Sequence, residues 1–234
     1  TSLIMSKPNN DIASVGSLAG AFSSAFRHLM MNTDDMLPAT VIDYDEKSNR
    51  AVIKPLVMML TTDNQTISRA PVANIPVFRF GGGGFFIRAP IKAGDFGWLK
   101  ANDRDISLIF QRGGLEDRPN TTRLHTFSDA MFFPDTLKGW VIDGKNIDAL
   151  VIQSMDGSVC FSLHNDKVVL ETPKYEINAR ETIFTGNVTV NGNYAVNGNS
   201  DSQGGVMRHN GKDIGSTHRH SGVQAGKDNT GSPI

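Results

Sequence analysis

The apolar positions change their spacing along the chain, and each change marks a new kind of element. From Asp11 to about Met31 the residues Ile12, Val15, Ala19, Phe22, Phe26, Leu29 and Met30 recur at helical spacing, with Asp11 placed as an N-cap. The pattern predicts an amphipathic helix packed on its own domain or on a partner. Gly16, Gly20 and Ala21 would let another surface come close, whereas Arg27 and His28 argue against a membrane span. Between residues 37 and about 134 short stretches rich in β-branched and aromatic residues alternate with turn residues. They are ATVIDYD (39–45), RAVIKPLVMML (50–60), VANIPVF (72–78), FGWLKAN (96–102) and DISLIFQ (105–111). Five such strands, bent by the run Gly81 to Gly84 and by Gly94 and Gly97, predict a small OB-like β-barrel, closed or partly open.

From about Ile147 to Asn199 the period is two and the strands become very short. Val159, Phe161 and Leu163 share a face, as do Tyr175, Ile177 and Ala179, then Val188 and Val190, then Tyr194 and Val196. Asp156-Gly157, Asn165-Asp166, Gly186-Asn187, Asn191-Gly192 and Gly198-Asn199 punctuate them, and VNGN repeats within VTVNGNYAVNGN. Strands with two or three apolar side chains cannot build a core alone, and no helix in this segment covers them. Three chains wound about one axis would bring the small apolar faces together and remove free sheet edges. A single-chain solenoid is the alternative, but some fifty residues give it few coils and no caps. The fold expected is therefore all-β: a helical segment over 1–36, an OB-like barrel and linker over 37–145, an intertwined trimeric β-helix over 146–203 and an apex over 204–234.

Composition narrows the partners. The 234 residues carry a net charge of −1, so no broad positive field invites phosphate backbones, and nucleic acid is not expected as a partner. Cys160 is the single cysteine, which excludes an intrachain disulfide and suits assembly in a reducing cytoplasm. The first residues do not read as a signal peptide, and no run of about 18 apolar residues occurs. A membrane would be met from outside, by a solid object.

Candidate chemistry lies at the C-terminus, THRHSGVQAGKDNTGSPI. In an extended strand His218 and His220 point to one side. Two imidazoles are an incomplete site, and such a pair taken alone is more often a solvated loop. On a three-fold axis, however, three chains supply roughly six nitrogens, an octahedral set that suits iron or another six-coordinate transition ion better than tetrahedral zinc. Glycines and small polar residues around the pair would let three backbones converge, and Arg219 should point outward. His28, His125, His164 and His209 have no such neighbour two residues on.

HRHSGVQAGKDNTGSP, together with the preceding short strands, resembles the tails of the membrane-piercing central spike (baseplate spike or baseplate assembly) proteins of contractile-tailed bacteriophages. Thr230, Gly231 and Pro233 match that family's closing Thr-Gly-x-Pro. The N-terminal half matches in strand layout and in FSDAMFFP (127–134). The resemblance implies an OB-like barrel held by a baseplate hub protein, a trimeric β-helix, and an apex with one iron ion per homotrimer bound by His218 and His220 of each chain. It implies a virion component at the tip of the tail baseplate that pierces the bacterial outer membrane.

An enzyme is not expected. No Gly-x-Ser-x-Gly, His-Glu-x-x-His or carboxylate pair stands out. A cupin-type metal site lacks its carboxylate, with Gln224 nearby instead, and Gly81 to Gly84 lacks the Gly-Lys-Ser/Thr of a phosphate loop, so it reads as a hairpin tip. Asp34-Asp35 and Asp103/Asp105 read as turn and cap residues. The alternative to the spike is an OB-type trimeric adaptor without a piercing role.

Overall fold

The computed structural model describes residues 16–31, 33–61, 65–137, 139–215, 219, 221–222 and 226. Contacts divide the chain into two compact units, Thr1–Tyr175 and Glu176–Ile234.

In the first unit, helix α1 (Leu18–Met31) is capped by Ser17, whose hydroxyl accepts from the Gly20 N–H at 3.0 Å. The expected cap Asp11, with Ile12 and Val15, lies outside the described residues. The helix buries none of its side chains, so Leu18, Phe22, Phe26 and Leu29 form an exposed stripe. No described helix is long and apolar enough to cross a membrane.

The strands that follow are β1 (Met36–Asp45), β2 (Arg50–Pro55), β3 (Met59–Leu60), β4 (Thr66–Ile67), β5 (Val72–Pro76), β6 (Phe80–Gly82), β7 (Phe85–Ile87), β8 (Phe96–Asn102) and β9 (Thr126–Pro134). Five of them form one sheet in the order β5-β2-β1-β8-β9. Val77 then bridges Phe132 in parallel, and the Phe78 N–H donates to the Phe132 carbonyl at 2.8 Å, so the sheet nearly closes on itself. This is the barrel-like, OB-type connectivity expected. Closure needs bent strands, and register shifts at Val41/Asp43, Ala51/Ile53 and Ala101/Asn102 supply the bends. Burial alternates strictly along β2 and β8. Val41, Ile53, Ile75, Leu99 and Phe132 meet inside as a core that one chain completes by itself.

The fifth strand is not the one expected. DISLIFQ (105–111) is a helical turn, α2 (Ser107–Gln111), and the barrel is closed instead by β9. The Asp105 carboxylate accepts from the Ser107 N–H at 3.0 Å and starts the turn; the Arg112 N–H then donates to the Leu108 carbonyl. A local hydrogen bond thus overrides the β propensity of Ile106, Leu108, Ile109 and Phe110.

The register sorts the connections between two poles. Met36, Pro55 and Thr126 lie at the pole where α1 arrives, and Arg69 at the base of the β3–β4 hairpin pairs there with Asp34 at 2.9 Å. At the other pole the β1–β2 turn meets the base of the β6–β7 hairpin through an Arg88–Glu46 ion pair. Pro134, paired with Gly97, leaves the barrel on that side.

Beyond the barrel, β10 (Leu150–Gln153), β11 (Cys160–Leu163) and β12 (Val168–Glu171) form a three-stranded antiparallel sheet. Residues 172–207 carry no strand. In the second unit β13 (Arg208–His209) and β14 (Lys212–Asp213) form a hairpin whose turn residues Asn210 and Gly211 both have positive φ, as a type I′ turn requires. The β-helix expected over 146–203 is not formed by one chain.

Candidate assembly surface

Asp105, Arg123 and Asp129 fix the long loop between β8 and β9. Arg123 grips Asp129 with two nitrogens at 3.0 Å each and reaches Asp105 at 3.1 Å. The Thr121 hydroxyl donates to Asp105 at 2.8 Å. Hydrogen bonds from the Ser107 hydroxyl and N–H, with Thr121 and the Arg123 charge behind them, hold the Asp105 carboxyl down at about 2. Its folded value lies below the ordinary value near 3.9, so the stabilisation is present above about pH 4 and disappears as pH falls through about 2. We expect Asp105→Asn to cost about 2 kcal/mol at neutral pH and to flatten the loss of melting temperature between about pH 4 and 2. Melting curves of both proteins across that range check it; parallel slopes would refute the assignment. The cluster is structural and offers no open acid-base pair.

The three-stranded sheet is different in kind, because one of its faces is apolar and bare. Leu150 lies opposite Leu163, which lies opposite Val168; Ile152 lies opposite Phe161, which lies opposite Leu170. Directly opposed residues share a face, so all six side chains sit on one side. Five of the six are exposed, Ile152 at 60%. The reverse face is covered: Cys160 and Ser162 are buried there, the Asn146 amide lies 3.6 Å from the Cys160 sulfur, and Lys145 pairs with Glu171. An alternating strand covered on its polar, small-residue side and open on its large apolar side reverses the usual arrangement of a monomer.

Downstream the same alternation of apolar residues continues. Tyr175, Ile177, Val188, Val190, Tyr194 and Val196 are all exposed, Tyr194 at 76%. No ladder joins residues 172–207 to another strand among the described residues. A stretch that joins no ladder and carries pairs of apolar side chains two residues apart can serve as half of a sheet interface.

His218 and His220, the expected metal ligands, lie outside the described residues, while Arg219 between them is exposed. Among the described residues no group of three or more His, Cys, Asp or Glu could hold a metal ion. His209 sits exposed on β13 with the Asn210 amide 3.3 Å from its Nε2, and His164 lies 3.2 Å from the Ser162 hydroxyl. Of the short strands expected here, the one around Phe161 and Leu163 forms, as β11, while those expected around Tyr175, Val188 and Tyr194 do not form in one chain. The signal for the sheet's bare face was present in the run LVIQ, CFSL, VVLE, whose apolar residues fall in phase once the turns are placed.

Residues 37–135 match a family model described as phage protein Gp138 N-terminal domain, and those bounds take in the barrel except for Met36, the first residue of β1. The match takes in less than half of the 234 residues. It supports a phage structural protein, a component of the virion. No curated protein matches the chain.

Proposed function

We propose that three copies of this chain assemble into the central spike of a contractile phage tail baseplate, which pierces the host outer membrane during infection. The observation that carries this reading is the bare apolar alternation from Leu150 to Val196, attached to a barrel whose own core is complete. The phage domain match to the barrel supports the setting. In this reading residues 146–203 of three chains wind into a shaft, and the barrel is the part held by a baseplate hub protein. His218 and His220 of each copy hold an iron ion that ties the three copies together at one point.

Size-exclusion chromatography with light scattering and elemental analysis test it together. The expected result is a trimer with one iron per three chains. His218→Ala/His220→Ala should keep the trimer, lose the metal and let a protease trim the last residues. A metal-free wild type with a protected end would overturn the metal assignment. Because only neutral imidazole binds metal, iron should also be lost as pH falls below about 6.

An adaptor without a piercing role is the second reading, favoured by the self-sufficient barrel core. It predicts that the double histidine variant keeps full infectivity, whereas the spike predicts its loss.

A further inference from the structure

The β6–β7 hairpin stands off a barrel that does not need it. Its register pairs Phe80 with Ile87, Gly81 with Phe86 and Gly82 with Phe85. Phe80, Phe85 and Ile87 therefore share one face, and Phe86 alone occupies the other. Phe86 is already partnered, with the Arg79 guanidinium 5.5 Å from its ring centroid and only a glycine opposite. The first face has no cover, and Phe85 is 83% exposed. The hairpin's backbone is paired internally and its turn is set by Gly83 and Gly84, both at positive φ. It is thus a preformed apolar surface, not a strand seeking a ladder.

A second apolar surface lies where the chain passes from barrel to sheet. Leu137, Trp140, Val141 and Ile142 are exposed, Trp140 at 55%, although Val141 is anchored by its N–H to the Met155 carbonyl at 2.9 Å. Both surfaces belong to the same pole of the barrel: the hairpin is tied to the β1–β2 turn by Arg88–Glu46, and the linker begins at Pro134 beside Gly97. One chain leaves both of them open, as expected when the contact is made between chains.

We infer that the β6–β7 hairpin of each copy clasps the next copy, its Phe80, Phe85 and Ile87 packing on that copy's Trp140–Ile142 segment. The inference rests on the trimeric reading above. A head-to-tail contact of this kind closes a ring when repeated about the three-fold axis of that reading. Aromatic side chains at roughly 150–250 Å² each make a large contribution toward the ~800 Å² per partner of a stable interface.

The test is a Phe85→Cys/Trp140→Cys variant treated with a short bismaleimide, with native mass measured on the same sample. The expected product is a covalent trimer on a denaturing gel, while each single variant runs as a monomer. A native trimer with no interchain product overturns the clasp and leaves the trimeric reading standing. A native monomer overturns both. Should the double variant fail to fold, maleimide labelling of Phe85→Cys alone decides: burial makes it about tenfold slower than the exposed loop control Glu116→Cys, with buried Cys160 as the slow internal reference. Equal rates in a trimer overturn the clasp. So would loss, in Phe85→Ser, of wild-type binding to anionic phospholipid vesicles, which assigns the hairpin to a membrane.

Discussion

Ile152→Asp is expected to give a folded monomer and no trimer. In one chain the side chain is 60% exposed, and a polar substitution at such a site changes stability by about 0.5 kcal/mol or less. The outcome differs if three sheet faces meet, because each copy would then bury a carboxylate beside Phe161 and Leu170 of its own sheet without a partner. An unpaired charge taken out of water costs several kcal/mol, and three of them close together repel as well. Light scattering reads the mass, and the melting temperature of the barrel reads the fold. A variant that remains trimeric with unchanged melting would mean that this face is not the interface, and the spike reading would lose its main support. Glu171→Ala on the covered side of the same sheet is the control: it removes the Lys145 ion pair while leaving the apolar face intact.

Gly97→Ala should cost the barrel about 3 kcal/mol, a large effect for one methyl group. Gly97 does not adopt a left-handed conformation; what it lacks is room. A Cβ there would meet the Phe133 carbonyl and the Phe132 ring, with Cζ and Cε2 at 2.5 and 2.8 Å. Phe132 is fully buried and sits where β9 closes the barrel against Val77, so neither ring nor backbone can withdraw without opening the seam. Denaturant unfolding should show a lower midpoint with an unchanged slope. A midpoint within experimental error of the wild type would show that β9 can shift, and that the closure is looser than its packing suggests.

Much of the barrel is legible in the residues themselves. ATVIDYD, the first half of RAVIKPLVMML, VANIPVF and FGWLKAN all become strands, since each carries the alternation a half-buried strand needs. DISLIFQ misleads because its apolar run fits either a short strand or a turn of helix, and the arbiter, Asp105 bonding the Ser107 N–H, is a single side-chain contact. FSDAMFFP carries a family likeness but no clear alternation that would announce a strand; its role as the closing element shows only when Val77 and Phe132 come together from 55 residues apart. The second half of RAVIKPLVMML leaves the barrel and becomes part of the exposed β3–β4 hairpin, because Pro55 ends β2 there.

By itself, then, the sequence determined where strands can form, that the chain past the barrel alternates without any means of covering its apolar side, and that two histidines stand two residues apart near the end. These are consequences of composition and period, which act over a few neighbours. Tertiary structure alone decided which element closes the barrel, which pole each hairpin occupies, and in what register the 150–171 strands pair. Those depend on which distant backbones hydrogen-bond to each other, and a one-residue change of register would have turned every side chain of the slipped strand to the other face.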